Sequence, residues 1–312
     1  MNPTSRVRDV APLRDGRVLV SLGGSVRLYT PGGAPSFQFS CQAESLVCSS
    51  DGRRAIAVSG VPRLSQLTRL DLHEGIARPW CEVEIDVFAR TFEGRLWYVA
   101  TEGSPVMGID TEAPGFEIAT RGEKEMFWPV FLRPLPDQLY LMSTSLGAEH
   151  VELYQLPSLA LVGGSLVPKP DMDFPGEGIC GELIPPAVLE PVLLVDDPRT
   201  GKSRVCGPKG TWAYPFEGRS VGFDASGAWA GVLLRHQAHT QVVCFHLRDR
   251  RPVWSYTFAT RLEGSLLTTF PLNAEKHGGV RIEQERLAAW DSSGQVVIFN
   301  LAEQRLAMEL RV

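Results

Sequence analysis

Long apolar runs, lysine and metal-spaced cysteines are what this 312-residue sequence has least of. No stretch approaches the roughly 18 uninterrupted apolar residues of a membrane-spanning helix, so no membrane association is expected. Met1 to Leu13 contains Arg6, Arg8 and Asp9 in place of the apolar centre of a secretory signal. A cytoplasmic protein is therefore expected. Only 5 of the 31 basic residues are lysine, and the net charge is −5. Nonspecific nucleic-acid binding needs many clustered cations to release counterions from phosphates, so this balance argues against it. The preference for arginine fits GC-rich coding and a bacterial source. Sustained helical periodicity is also missing. The six cysteines (Cys41, Cys48, Cys81, Cys180, Cys206, Cys244) have no metal-ligand spacing, and Ser45-Leu-Val-Cys48 and Val242-Val-Cys-Phe245 set two of them in apolar strand patterns. They read as small buried thiols.

What is present is punctuation. The 30 glycines and 23 prolines are spread along the chain between short runs rich in Val, Leu, Ile and aromatic residues, the pattern of many strands joined by tight turns. The first unit shows the cycle: Val7 to Leu13, the turn Asp15-Gly16, Val18 to Ser21, the turn Leu22 to Ser25, Val26 to Tyr29, the turn Pro31 to Gly33, and Ser36 to Phe39. Four strands joined by three turns would make one blade of a propeller.

The last unit carries the plainest family signal. Its turn Asp291-Ser-Ser-Gly294 leads into Gln295-Val-Val-Ile-Phe299-Asn300. This resembles the third strand of a WD40 repeat, with Phe299-Asn300 standing where that family has Trp-Asp. Comparable pairs occur at Tyr29-Thr30, Leu70-Asp71, Ile109-Asp110, Tyr154-Gln155, Cys206-Gly207 and Phe245-His246, spaced 39 to 54 residues apart and 45 on average. A second series marks the first turn of five units: Asp15-Gly16, Asp51-Gly52, Glu93-Gly94, Pro136-Asp137 and Ser226-Gly227. The fifth and seventh units break it.

The chain thus resembles a degenerate, bacterial-type member of the WD40-like β-propeller repeat family. The resemblance implies an all-β fold: a single seven-bladed β-propeller of four-stranded antiparallel blades, at about 5–40, 41–83, 84–121, 122–167, 168–218, 219–259 and 260–312. A large irregular β-sandwich is the alternative. No unit combines the family's Gly-His pair with a true Trp-Asp, so its polar network is mostly absent. On this phase the first and last units should meet blade against blade, without sharing strands; the alternative is a circularly shifted closure in which one terminal strand completes the blade at the other end.

Two long intervals depart from the repeat. Lys169 to Pro191 holds five prolines with Asp171, Asp173 and Glu177, and reads as a stiff acidic loop on the upper rim, able to dock a partner. Asn273 to Gly279, continuing through Val280 to Glu285, reads as a lengthened inner hairpin on the opposite face. The candidate partner-binding residues are Trp128, Asp171, Asp173, Phe174 and Glu177. Trp128 follows the polar stretch Arg121 to Glu125, and tryptophan buries a large area with few rotamers to freeze. The other aromatic clusters, with Trp80 and Trp254, read as core between blades.

No complete catalytic or metal-binding set is visible. His236 and His239 stand in a loop without a third ligand, and Asp171-Met-Asp173 is too short for a calcium loop. Thr200-Gly-Lys-Ser203 lacks the earlier glycine of a phosphate-binding loop. No cofactor is expected. The resemblance implies a noncatalytic protein-interaction scaffold or adaptor whose partners are one or more proteins, such as an ATPase or another subunit of the same assembly. The alternative is a propeller enzyme of metal-dependent lactonase or lyase type, with acids such as Glu44, Asp86 and Glu125 turned toward a central channel. A third reading, nucleic-acid binding around Arg248, Arg250 and Arg251, is weakened by the acidic total.

Overall fold

The computed structural model describes residues 7–60, 63–85, 87–90, 95–99, 106–111, 118–121, 129–135, 138–145, 148–155, 160–168, 181–184, 192–196, 203–207, 210–213, 220–224, 228–235, 239–246, 249, 251–259, 278–291 and 293–312. Among the described residues every regular element is a β-strand. Sheet one comprises β1 (Val7–Pro12), β2 (Val18–Leu22), β3 (Val26–Tyr29) and β4 (Pro35–Phe39). Sheet two comprises β5 (Ser45–Cys48), β6 (Arg54–Ser59), β7 (Arg63–Asp71) and β8 (Ile76–Ile85). Sheet three follows with β9 (Val87–Arg90), β10 (Arg95–Val99), β11 (Val106–Asp110) and β12 (Ile118–Arg121). Sheet four has β13 (Pro129–Leu135), β14 (Gln138–Ser145), β15 (Ala148–Gln155) and β16 (Ala160–Pro168). Sheet five has β17 (Gly181–Ile184), β18 (Val192–Asp196), β19 (Ser203–Gly207) and β20 (Gly210–Ala213). Sheet six has β21 (Ser220–Phe223), β22 (Trp229–Arg235), β23 (Thr240–His246) and β24 (Arg251–Phe258). Sheet seven closes the series with β25 (Gly279–Glu283), β26 (Arg286–Trp290), β27 (Gln295–Asn300) and β28 (Arg305–Arg311).

Each sheet is an antiparallel meander drawn from one contiguous stretch of chain, with no strand exchanged between sheets. The apolar runs are continuous because successive side chains serve two interfaces. On β2, Val18, Val20 and Leu22 pack toward sheet seven, while Leu19 packs toward sheet two. On β27, Val296 and Ile298 meet sheet one, whereas Val297 and Phe299 meet sheet six. On β6 the division is Ala55 and Ala57 toward sheet one, Ile56 and Val58 toward sheet three. A Val or Leu fully buried in this way contributes about 1.5–3 kcal/mol, so neighbouring sheets stabilise each other. Sheets one and seven, at the two ends of the chain, share one such core built on Val10, Val20, Tyr29, Trp290, Ile298 and Leu310.

The Trp-Asp-like pairs mark the structure's phase. All seven fall at the C-terminal end of the third strand of their sheets. In the third-to-fourth pairing, bulges occur at Leu28/Tyr29, Leu153/Tyr154, Cys244/Phe245 and Ile298/Phe299, at the first residue of the pair. A bulge increases local twist and turns the outer strand away from flat edge pairing. Pro35, Pro79 and Pro252 lie in outermost strands, where a missing N–H leaves no ladder bond unmade.

The second residue of the pair organises the next turn. Thr30 Oγ1 accepts from Ala34 N at 3.2 Å, Asp71 Oδ1 from His73 N and Glu74 N at 2.9 Å, and Asn300 Oδ1 from Glu303 N at 3.0 Å. Three different residues thus perform one local task, which depends only on a short side chain carrying an acceptor oxygen.

Both irregular units differ from the sequence reading. Within Lys169 to Pro191, read there as loop throughout, Gly181–Ile184 forms the innermost strand of sheet five. Its four residues were hidden by the prolines on either side. Val280 to Glu285, expected to extend a hairpin, instead supplies most of β25 and the turn to β26. That turn has Gln284 and Glu285 at φ 49° and 61°, a two-residue loop of the type that usually carries Asn-Gly. Before it, Gly279 lies opposite Trp290. A Cβ on Gly279 would come within 2.3 Å of the Trp290 ring, so this glycine is required by close packing.

Candidate interaction surface at the seam of the terminal sheets

The five candidate partner-binding residues, Trp128, Asp171, Asp173, Phe174 and Glu177, all lie outside the described residues. Trp128 stands in the connection from β12 to β13, and the other four in that from β16 to β17. Both connections lead from an outermost strand to the innermost strand of the next sheet. Asp86 and Glu125 of the channel proposal, and Arg248 and Arg250 of the basic face, are also outside the described residues.

The described polar chemistry gathers where sheet seven meets sheet one. On β25, Arg281 and Glu283 share a strand face, and both are buried. Arg281 Nη2 donates to Glu283 Oε1 at 2.5 Å, and Nη1 reaches Asp9 Oδ2 on β1 at 3.0 Å. Asp9 sits at a register shift in the β1–β2 ladder. Its Oδ2 also accepts from Leu46 N on β5 at 2.8 Å, and its Oδ1 from Val10 N at 2.9 Å. One carboxylate therefore joins the innermost strands of sheets seven, one and two. Burial works against the charge on Arg281, but Glu283 and then Asp9 outweigh it and raise its pKa. Apart from Arg281 Nε, which is buried without a hydrogen bond, these groups bond one another and to Leu46 N, an arrangement that ties three strands together.

At the turn end of the same sheets a second arginine crosses an interface. Arg17 donates from Nη1 to Leu72 O at 3.1 Å and from Nη2 to Gly52 O at 2.8 Å, while Asp15 holds its Nε at 2.6 Å. The first and third turns of sheet two are thereby fastened to the first turn of sheet one. At the other end, Ser21 Oγ donates to Ala43 O.

The outer part of the seam is open. A cleft of about 570 Å³ lies between sheet one and β28, lined by Arg27, Tyr29, Phe37, Gln38, Glu309 and Arg311 among others. Arg27 Nε donates to Gln38 Oε1 at 3.1 Å. Glu309 Oε1 accepts from Tyr256 Oη and Gln295 Nε2, both at 2.8 Å. Burial, and next the bond to Glu309, push the Tyr256 hydroxyl up to about 12. Phe37 is 36% exposed. Sequence reasoning passed over this cleft because Ser36 to Phe39 reads as an ordinary alternating strand, with both phenylalanines turned inward. Phe39 is buried as that pattern predicts. The available signal was the arginine at the second position of the third strand, beside an outer strand with glutamine facing it.

Among the described residues no three His, Cys, Asp or Glu side chains converge to hold a metal ion. Cys48 and Cys244 are buried free thiols, as their strand patterns suggested, whereas Cys41 and Cys81 are half-buried. Burial pushes the Cys244 thiol up to about 12 and that of Cys41 to about 11. Trp254 lies in outer strand β24 and stacks on Phe299 of sheet seven with centroids 4.5 Å apart, in keeping with a core role. Trp80 carries the Arg69 guanidinium 4.3 Å from its ring centroid. No long apolar helix capable of crossing a membrane occurs among the described residues.

No family model matches the chain, and no curated protein does. Solved structures match along nearly its whole length. Hsv2 of Kluyveromyces lactis superposes with a TM-score of 0.54 at 14% identity, over 97% of this chain and 98% of the other. The β-propeller domain of Myceliophteria thermophila Cps50 (Swd1) gives 0.52 at 10% identity, over 97% and 95%. Dihydro-heme d1 dehydrogenase NirN, in complex with DHE, gives 0.54 at 12% identity, over 98% of this chain and 66% of its own. Identities this low carry the fold and not the activity. The antiparallel meanders, of which sheets six, seven, one, two and three are joined by shared cores, and these likenesses together make the chain a protein of β-propeller fold.

Proposed function

We propose that this chain is a noncatalytic protein-interaction scaffold, built as one seven-bladed WD40-like propeller in the cytoplasm and working as a subunit of a multiprotein assembly. The carrying observation is the seam: Arg281 binds Asp9 and Glu283 in a buried network that also accepts Leu46 N. Asp9, Arg281 and Glu283 on the innermost strands there hold sheets together. This supports a rigid platform whose specificity lies in its edges, clefts and outer-to-inner connections. The shared core of sheets one and seven supports closure into a ring, with blades near the boundaries read from the repeat. The candidate residues Trp128, Asp171, Asp173, Phe174 and Glu177 remain part of the proposed docking surface.

Purification of the protein from its source cells, with mass spectrometry of co-eluting chains, tests the reading. One or more stoichiometric protein partners are expected. Absence of any such partner, together with turnover of a small molecule, would replace the scaffold by the enzyme alternative. Resemblance of the fold to NirN leaves that comparison to the experiment.

A further inference from the structure

We propose that the cleft between sheets one and seven binds a small organic carboxylate, held by Arg27 and Tyr29. Such a site goes beyond the scaffold reading and is independent of it.

Strand register decides which side chains face the cleft. On β3, Arg27 and Tyr29 lie opposite Val20 and Val18 of β2, which pack toward sheet seven. Gln38 of β4 stands opposite Arg27 and shares its face. Across from them, Leu310 of β28 belongs to the core shared with sheet one. Its neighbours Glu309 and Arg311 turn the other way, toward sheet six, where Glu309 meets Tyr256. Phe37 turns toward sheet two, against Gly75. Of the charged residues around the cleft, Arg27 alone therefore faces into it.

Two hydrogen-bond donors on this face are unspent. Arg27 Nε donates to Gln38 Oε1, which fixes the plane of the guanidinium, while Nη1 and Nη2 bond no described residue. Tyr29 is only 5% exposed, yet its hydroxyl bonds no described residue and is not sealed from solvent. A buried tyrosine ordinarily finds a partner for that group. A guanidinium with a free outer edge takes a carboxylate through two parallel bonds, and Tyr29, two positions along the same strand face, can add a third. One cation balances a monoanion but leaves a phosphate dianion half-neutralised. Pro35, Leu310 and the Tyr29 ring offer apolar surface to the rest of the molecule. The volume, about 570 Å³, falls within the roughly 300–1,000 Å³ of small-molecule sites.

Calorimetric titration of the full-length protein with hydrocinnamate, and with the corresponding amide, tests the site. The carboxylate is expected to bind about tenfold more tightly and to raise the thermal midpoint as its concentration increases. Arg27→Gln should remove the preference for the acid. Tyr29→Phe, which keeps the ring, should weaken hydrocinnamate binding by about two- to tenfold and leave the midpoint of the ligand-free protein unchanged. Arg78→Gln removes the same charge at an exposed position of sheet two and should bind as the wild type does. Equal affinity for acid and amide, no saturable binding, undiminished binding in either cleft variant, or the same loss in Arg78→Gln overturns the proposal. So does tighter binding of inorganic phosphate, or of a tripeptide with a free C-terminus, than of hydrocinnamate, because the occupant would then be a phosphate or the end of a protein chain.

Discussion

Arg281 and Asp9 are 272 positions apart in sequence, yet their side chains meet at 3.0 Å between the innermost strands of the last and first sheets. Removing the arginine leaves two carboxylates buried without their counter-charge, and breaking such a pair from one side costs about 3–5 kcal/mol. Arg281→Met should therefore lower stability by that order in denaturant melts. Adding Asp9→Asn and Glu283→Gln to it should recover part of the loss, because the orphaned charges are gone. A triple variant no more stable than Arg281→Met would show that geometry and not charge was lost.

The turn at Gln284 and Glu285 holds two non-glycine residues at positive φ. Asn and Gly occupy such positions with less strain. Gln284→Asn with Glu285→Gly should stabilise the protein by about 0.5–1 kcal/mol, measured as a raised unfolding midpoint in urea. The bond from Leu301 N to Glu285 O involves only main chain and should persist.

Asp71 provides a pH prediction. Hydrogen bonding from Glu74 N, then from His73 N, holds its carboxyl below the ordinary carboxylate value against the opposing effect of burial. A folded-state pKa below the unfolded one adds stability that is complete above the unfolded value, about 3.9, and fades as pH falls through the folded value. Asp71→Asn should keep the turn, since Asn300 caps the corresponding turn of sheet seven, but should show a flatter decline of stability between about pH 5 and 3. Asp71→Ala should lose about 1 kcal/mol at neutral pH. Thermal melts of the three proteins across that range decide the matter.

Two glycines should respond in opposite ways. A methyl group at Gly279 meets the Trp290 ring at 2.3 Å, whereas one at Gly24 meets nothing within 4 Å. Gly279→Ala should destabilise by about 1–3 kcal/mol through overpacking and alter tryptophan fluorescence. Gly24→Ala should be close to neutral in the same assays.

Local features of the fold were legible, and distant ones were not. The pairs from Tyr29-Thr30 to Phe299-Asn300 could be found because an apolar residue near the end of the third strand is followed, as at Thr30, Asp71 and Asn300, by a short side chain that shapes the turn. Their acceptor side chains then work within a few residues of chain. The seventh unit's first turn was missed because Gln284-Glu285 has no turn signature; its conformation follows from the two strands it joins. Gly181–Ile184 was overlooked for a related reason, as four residues among prolines carry too little pattern. Nothing in the sequence distinguishes Arg281 among 26 arginines, since its partner Asp9 is brought to it only when the terminal sheets pack.

Because every described sheet is cut from one uninterrupted piece of chain, no hydrogen-bonded ladder pairs strands of the first sheet with strands of the last. The join between sheets seven and one is made of side chains: a shared apolar core and one arginine. A gene could therefore acquire or shed one four-strand module, or be circularly permuted at another junction, without severing a ladder. The molecule's history can be modular even though its stability is collective.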